Sequence, residues 1–185
     1  MLITKNKTYY YNSKALSSYI SMGSKLRELI DNNIEENQEI IILCIGSDRS
    51  TGDSLGPIVG YKLSNLSIPG IHVYGTLNEP VHAVNLHETI DTIYSNHKRP
   101  FIIAVDASLG TPDHIGLITL CAKPLKPGLG VKKSLPEIGQ ISITGIVNLS
   151  GLFDNMLLQS TRLHLVMSLA DVISLGIFSA FLSQY

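Results

Sequence analysis

The most constraining feature of the sequence is a pair of continuous apolar runs. Residues 39–46 read EIIILCIG and residues 101–106 read FIIAVD. Their length, their β-branched residues and the Gly or Asp at the end favour strands that are buried on both faces, as in a parallel sheet. Since parallel strands need long crossover connections, which are usually helical, this pair predicts an α/β fold.

The rest of the chain continues the alternation of strands and helices. We predict further strands over 71–77, 115–122 and 140–145, and helices over 13–33, 54–66, 80–96, 149–159 and 162–183. The fold class that follows is a three-layer α/β/α sandwich with a mostly parallel central sheet of about five strands. We expect one domain, residues 1–185, in which an N-terminal arm and helix (1–36) precede the core (37–185).

Composition limits the function classes. Hydrophobic residues make up 44% of the 185 residues and charged residues 16%, so much of the chain must be buried. The net charge is −1, with 14 basic and 15 acidic residues and no basic cluster, so we expect no nucleic-acid partner. Cys44 and Cys121 lie in apolar runs, which favours reduced thiols in a reducing, cytoplasmic compartment.

The stretch 163–182 is the one segment that resembles a membrane span. Asp171 lies inside it and at a bilayer centre would cost about 2.5–3.5 kcal/mol. We therefore predict a buried C-terminal helix and no membrane partner, with a membrane anchor as the alternative.

Two carboxylates stand where α/β proteins bind ligands, outside the carboxyl ends of the strands. Asp53 follows the first run in the loop 46–57, GSDRSTGDSLGP, and Asp106 ends the second run. That loop differs from a phosphate-binding loop because Asp53 occupies the place of the lysine, so it argues against nucleotide binding.

Each carboxylate also has a simpler interpretation. Asp53 could only cap the following helix, and Asp106 could only cap a turn. A carboxylate at the end of a buried strand nevertheless needs a partner, and two at one sheet edge favour a shared site. Asp48 and Arg49 in the same loop are either a solvated pair or line that cleft, and the six histidines are predicted to be surface or capping residues.

Four segments carry a resemblance to a known family. They are STGDSLGP (50–57), FIIAVDA (101–107), KPGLGV (126–131) and ISITGIVN (141–148). Over roughly residues 37–182 the chain resembles the YyaC-type sporulation proteins of spore-forming Firmicutes. It is more distantly similar to the germination protease that degrades small acid-soluble spore proteins, whose proposed catalytic aspartates fall on Asp53 and Asp106.

The hydrogenase maturation proteases are a further resemblance, and they imply the same α/β/α architecture with acidic residues at both positions. They use a metal-contacting histidine near the place that Glu137 occupies here, which argues against a nickel site. We expect no cofactor, and a metal ion held by Asp53 and Asp106 is the less favoured alternative.

The resemblance and the residues together predict a hydrolase that acts on peptide bonds of spore proteins in the forespore or spore core. Asp53 and Asp106 are the predicted catalytic pair, and Asp48, Arg49 and Glu137 are the predicted lining residues. The expected partner is a protein or peptide substrate, with small acid-soluble spore proteins as candidates. A non-catalytic binding or structural protein of sporulation, a metal–carboxylate site and a homo-oligomer stay open.

Overall fold

The structure is a computed structural model that describes residues 7–127, 137–151 and 154–182. The described residues form the strands β1 (Thr8–Asn12), β2 (Glu39–Cys44), β3 (Ile71–Tyr74), β4 (Pro100–Gly110), β5 (Leu117–Cys121) and β6 (Ile141–Leu149). The α-helices are α1 (Ser18–Asn33), α2 (Leu55–Leu66), α3 (Leu86–Asn96), α4 (Asp154–Gln159) and α5 (Leu163–Leu182). Two 3₁₀ turns cover Gly52–Ser54 and Pro112–His114.

The strands form one sheet in the order β1-β5-β6-β4-β2-β3. The four strands from β6 to β3 are parallel to one another, whereas β5 is antiparallel to β6 and β1 is antiparallel to β5. Five of the six strands therefore run in one direction, which confirms the mostly parallel α/β prediction. The strand that runs in the opposite direction is β5. The strand beyond the predicted five is β1, which comes from the N-terminal arm and whose Tyr10 pairs with Thr119 of β5.

The two faces of the sheet bury different helices. Ile42, Ile103 and Ile143 belong to a large apolar cluster that packs against α1, α2 and α5, and we call this side the α5 face. Ile41 and Ile102 point to the other side, the α3 face, where they pack with residues of α3. The sheet thus lies between two helical layers.

Helix α5 lies against the sheet as predicted. It is the one helix among the described residues that is long and apolar enough to cross a membrane, with a mean hydropathy of 2.1, yet 56% of that window is buried inside the protein. It packs on α1, α2 and β6. Asp171 does not enter this core, because it forms an ion pair of 2.8 Å with Lys62 of α2.

The third helix does not begin where proline predicted it. Pro80 suits a first helical position, but α3 begins at Leu86. The backbone before it is extended, since Val81 forms a parallel bridge with Ile45 at the end of β2. The side chain of Asn85 then holds the turn into the helix, with its Oδ1 accepting a hydrogen bond of 2.8 Å from the His82 amide.

Candidate functional site at the carboxyl edge of the sheet

Asp106 lies inside β4, four residues before the end of the strand, and not at the end as predicted. The reason is that the two neighbours of β4 have different lengths. Pairing with β2 stops at Val105, which faces Cys44, while pairing with β6 continues as far as Gly110. Asp106 is therefore the first residue of β4 beyond β2. It is held in place by β6, and the residue is only 8% exposed.

Asp53 reaches the same edge from the 3₁₀ turn before α2. Its carbonyl accepts a hydrogen bond of 3.0 Å from the Ser47 amide, which folds the loop back over the end of β2. The simple capping role is not seen, because the residue before α2 is Ser54 and that end has no side-chain cap. The turn contacts β4, so the element that carries Asp53 lies beside the one that carries Asp106.

Gly46 makes this close approach possible. Its φ of +146° is a backbone conformation that side-chain-bearing residues rarely adopt. A Cβ at this position would lie 2.0 Å from the carbonyl oxygen of Asp53. The glycine at the end of the first apolar run is therefore required for the turn to rest on β2.

The two carboxyls have different electrostatic surroundings. Burial raises the pKa of Asp106 well above its ordinary value, and the charge of Asp53 raises it further, against a hydrogen bond from the Ala107 amide. Burial also raises the pKa of Asp53, but the Ser47 amide and the charge of His82 lower it. The pKa is thus raised further at Asp106 than at Asp53, so Asp53 is the group that ionises first.

His82 is a site residue that the sequence analysis missed. The Gly46 amide donates to the Val81 carbonyl at 2.8 Å, which fixes the chain at the sheet edge and brings His82 near Asp53. Its Nδ1 is buried and has no hydrogen-bond partner among the described residues. The available signal in the sequence was the single apolar residue Val81 just before His82. Val81 pairs with Ile45 and so adds one residue pair to the sheet beyond the end of β3.

A row of hydroxyl groups leads away from Asp106 across the α3 face. Asp106 pairs with Thr144 of β6, Thr144 with Thr119 of β5, and Thr119 with Tyr10 of β1. The Thr144 Oγ1 lies 2.7 Å from the Thr119 Oγ1 and accepts a 3.2 Å hydrogen bond from Ser108. On the α3 face, the apolar residues that pack under α3 lie mainly on β2 and β4. The hydroxyl residues lie on the same face, on the strands β6, β5 and β1.

This row borders a cavity of ≈ 630 Å³, which we call the hydroxyl cavity. It is lined by Thr8, Tyr10, Thr119, Cys121, Lys123, Pro124, Leu125, Lys126, Glu137, Ser142 and Thr144. Because Thr144 both lines the cavity and pairs with Asp106, the cavity begins one strand away from the carboxyl pair. The alternation of Ser142 and Thr144 with isoleucines was the sequence signal for it.

The other predicted lining residues are placed differently. Glu137 borders the hydroxyl cavity and forms an exposed ion pair of 2.9 Å with Lys126. Asp48 and Arg49 are exposed at the tip of the loop that follows Gly46. The structure therefore brings Glu137 toward the cavity and leaves Asp48 and Arg49 facing solvent.

Fold and site together define the class: an α/β/α protein with a buried carboxyl beside a second, ionisable one at the carboxyl edge of its sheet. The sequence model of the family described as "Protein of unknown function (DUF1256)" matches residues 8–176, and the chain belongs to that family. It is 54% identical over 138 residues to "Uncharacterized protein YyaC" of Bacillus subtilis, covering 75% of this chain and 67% of that protein. The predicted YyaC-type membership is confirmed.

Among solved structures, the chain is similar to a NiFe hydrogenase maturation protease, HycI, from Thermococcus kodakarensis. The identity is 15% and the TM-score is 0.45, over 83% of this chain and 99% of that chain.

Proposed function

We propose that this protein is a hydrolase that cleaves peptide bonds, with Asp53 as the general base and Asp106 as the general acid. The observation that carries the proposal is the raised pKa of the buried Asp106 beside the charge of Asp53. Two carboxyls whose surroundings push their pKa values apart are the arrangement from which acid and base roles arise.

The proposed reaction uses one water molecule. Asp53 takes a proton from the water as its oxygen bonds to the peptide carbonyl carbon, and Asp106 gives its proton to the carbonyl oxygen. When the C–N bond breaks, the leaving amine takes the proton that Asp53 received, and the new carboxyl returns a proton to Asp106. Both side chains end in their starting states, so no further reactant is required.

The hydroxyl cavity supports a polar, extended substrate. Its ≈ 630 Å³ is within the usual range for small-ligand pockets. The hydroxyls of Thr144, Thr119 and Tyr10 both donate and accept hydrogen bonds, which suits the alternating N–H and C=O groups of a peptide. We infer that a peptide crosses β6 and β5 and places its scissile bond at Asp106.

The proposed substrates are spore proteins, with small acid-soluble spore proteins as the first to test, in the forespore or spore core. The support is the likeness of the loop motifs around Asp53 and Asp106 to those of the germination protease. A non-catalytic sporulation protein with the same fold is the competing proposal, and it differs in predicting binding without new peptide termini.

The test is to incubate the purified protein with spore extract and to identify new peptide termini by mass spectrometry. Wild type and Asp113→Asn, a matched change at an exposed aspartate, should give the same fragments. Asp53→Asn and Asp106→Asn should give none while keeping a wild-type circular dichroism spectrum. If the folded wild type produces no fragments, the hydrolase proposal fails and the binding role takes its place.

A further inference from the structure

A second cluster of chemically capable side chains lies at the opposite edge of the sheet. Glu39 is the first residue of β2, His72 lies in β3, and His97 follows the last residue of α3. One ligand atom from each residue lies within 4.8 Å of those from the other two. Two imidazoles and one carboxylate are a ligand set that proteins use for zinc and similar metals.

The distances around Glu39 fit a single ion. Its Oε2 lies 2.8 Å from His97 Nδ1 and 3.7 Å from His72 Nε2. Zinc bonds nitrogen and oxygen at about 2.0–2.2 Å, so neighbouring ligands in a tetrahedron lie about 3.4 Å apart. The two observed distances lie on either side of that value. The rings of His72 and His97 also pack against each other, with centroids 4.4 Å apart, and their ligand atoms lie within 4.8 Å of one another.

His97 is prepared as a ligand by its other nitrogen. Its Nε2 lies 3.1 Å from the Tyr74 hydroxyl, and its side chain is 7% exposed. Without an ion, Nδ1 donates a 2.8 Å hydrogen bond to the Glu39 carboxylate. An ion that displaced this proton would leave the Nδ1 lone pair free to bind it, with the remaining proton on Nε2 donated to Tyr74. Metal-binding histidines almost always have such a second partner, which fixes the ring and its tautomer.

We propose that Glu39, His72 and His97 form a binding site for Zn²⁺, with a fourth coordination position open to solvent. The side chains of Glu39 and His72 are 42% and 49% exposed, so the ion can enter from that side. The nearby cation Arg99 is paired with Glu35 and so does not occupy the Glu39 carboxylate. Imidazole nitrogens favour Zn²⁺ over Ca²⁺ and Mg²⁺, which prefer oxygen ligands.

The site is separate from the carboxyl pair. Glu39 lies opposite Pro100, and Asp106 is six residues further along β4, which is about 20 Å at about 3.3 Å per residue. An ion at this position would join edge strand β3 to β2 and to the junction of α3 and β4. Because the ligands come together only in the folded chain, the ion would stabilise the fold.

The test is calorimetric titration of Zn²⁺ into chelator-treated protein, with the visible spectrum of Co²⁺ as a second readout. Wild type should bind one ion. Tyr74→Phe, which removes the hydrogen-bond partner of His97, should weaken the affinity for Zn²⁺ by a factor of about 10. His72→Ala, which removes a ligand, should weaken that affinity by more. Half-exposed His72 is chosen because loss of buried His97 could unfold the protein. His87→Ala removes an exposed histidine on α3 and should bind Zn²⁺ as wild type does.

Two results would overturn the proposal: no Zn²⁺ binding by folded wild type, or equal affinity in His72→Ala and wild type. Zn²⁺ should also raise the melting temperature of wild type and of Asp106→Asn, but much less that of His72→Ala. If Asp106→Asn loses the ion while His72→Ala keeps it, the metal belongs to the carboxyl pair. The fragment assay with spore extract is read independently, so this site and the proposed hydrolase can fail separately.

Discussion

Asp106 and Thr144 face each other on parallel strands β4 and β6, and the Thr144 hydroxyl is shared between Ser108 and Thr119. The buried carboxyl with the raised pKa is thus one strand away from an ordered line of hydroxyls. Asp106 connects the two parts of the proposed site, since Asp53 lies at one side of it and the hydroxyl cavity at the other.

Thr144→Val should weaken substrate binding more than it slows the chemical step. Valine keeps the shape of threonine but removes the hydrogen bonds to Ser108 and Thr119, so the hydroxyl line is broken. We expect KM for a spore-protein peptide to rise with a smaller change in kcat, and the free energy of unfolding to fall by about 1 kcal/mol. Thr111→Val, at an exposed threonine that makes no side-chain cap hydrogen bond, is the control.

Asp106→Asn should remove a dependence of stability on pH. A carboxyl whose pKa is higher in the folded state than in the unfolded state binds more protons when folded, so its stabilising contribution is complete at low pH. It is lost as the pH rises from the unfolded value of about 3.9 toward the raised folded value.

Urea unfolding from pH 4 to pH 8 measures this effect. Relative to Asp106→Asn, wild type should lose free energy of unfolding as the pH rises. Asparagine can keep the hydrogen bond from the Ala107 amide, so the comparison isolates the charge. A constant difference between the two proteins over that range would show that Asp106 does not titrate there.

His82→Gln should move the acidic limb of the cleavage rate to higher pH. The charge of His82 lowers the pKa of Asp53, so its removal raises that pKa and the base becomes protonated sooner as the pH falls. The measurement is kcat/KM against pH for wild type, His82→Gln and His87→Gln. The last of these changes an exposed histidine of α3 and should leave the limb in place.

Gly46→Ala should displace the turn that carries Asp53. The added Cβ would lie 2.0 Å from the Asp53 carbonyl, and φ at this residue is +146°. We expect a loss of about 1–3 kcal/mol in the free energy of unfolding, together with loss of cleavage. Gly151→Ala is the matched change, because a Cβ there meets nothing within 4 Å, and it should alter stability by less than about 0.5 kcal/mol.

The strands that could be predicted from the sequence were those whose own residues carry the signal. The runs at 39–46 and 101–106 are apolar on both faces, so their burial did not depend on knowing their neighbours. The end of β4 could not be predicted in this way. Its last residues remain a strand only because β6 is longer than β2, and strand length in a sheet is set by the partner.

The remaining differences also come from contacts between residues distant in the chain. β1 becomes a strand because it pairs with β5, more than a hundred residues away. Pro80 has the residue type of a helix start, yet the bridge between Val81 and Ile45 keeps that backbone extended. His82 looked like one of six scattered histidines until this bridge brought it near Asp53. The roles of Asp53, Asp106 and Glu137 stay predictions.

Asp106 is fixed within a strand, whereas Asp53 is carried by a short turn. The separation of the two carboxyls therefore changes when the loop moves, and with it the part of the raised pKa of Asp106 that comes from the charge of Asp53, in addition to the larger part that comes from burial. A molecule that pulled the loop outward would make Asp106 a stronger acid, and one that pressed it inward would make it a weaker acid. A molecule bound to the turn after Gly46 would then change the pKa of Asp106 by changing the position of that turn.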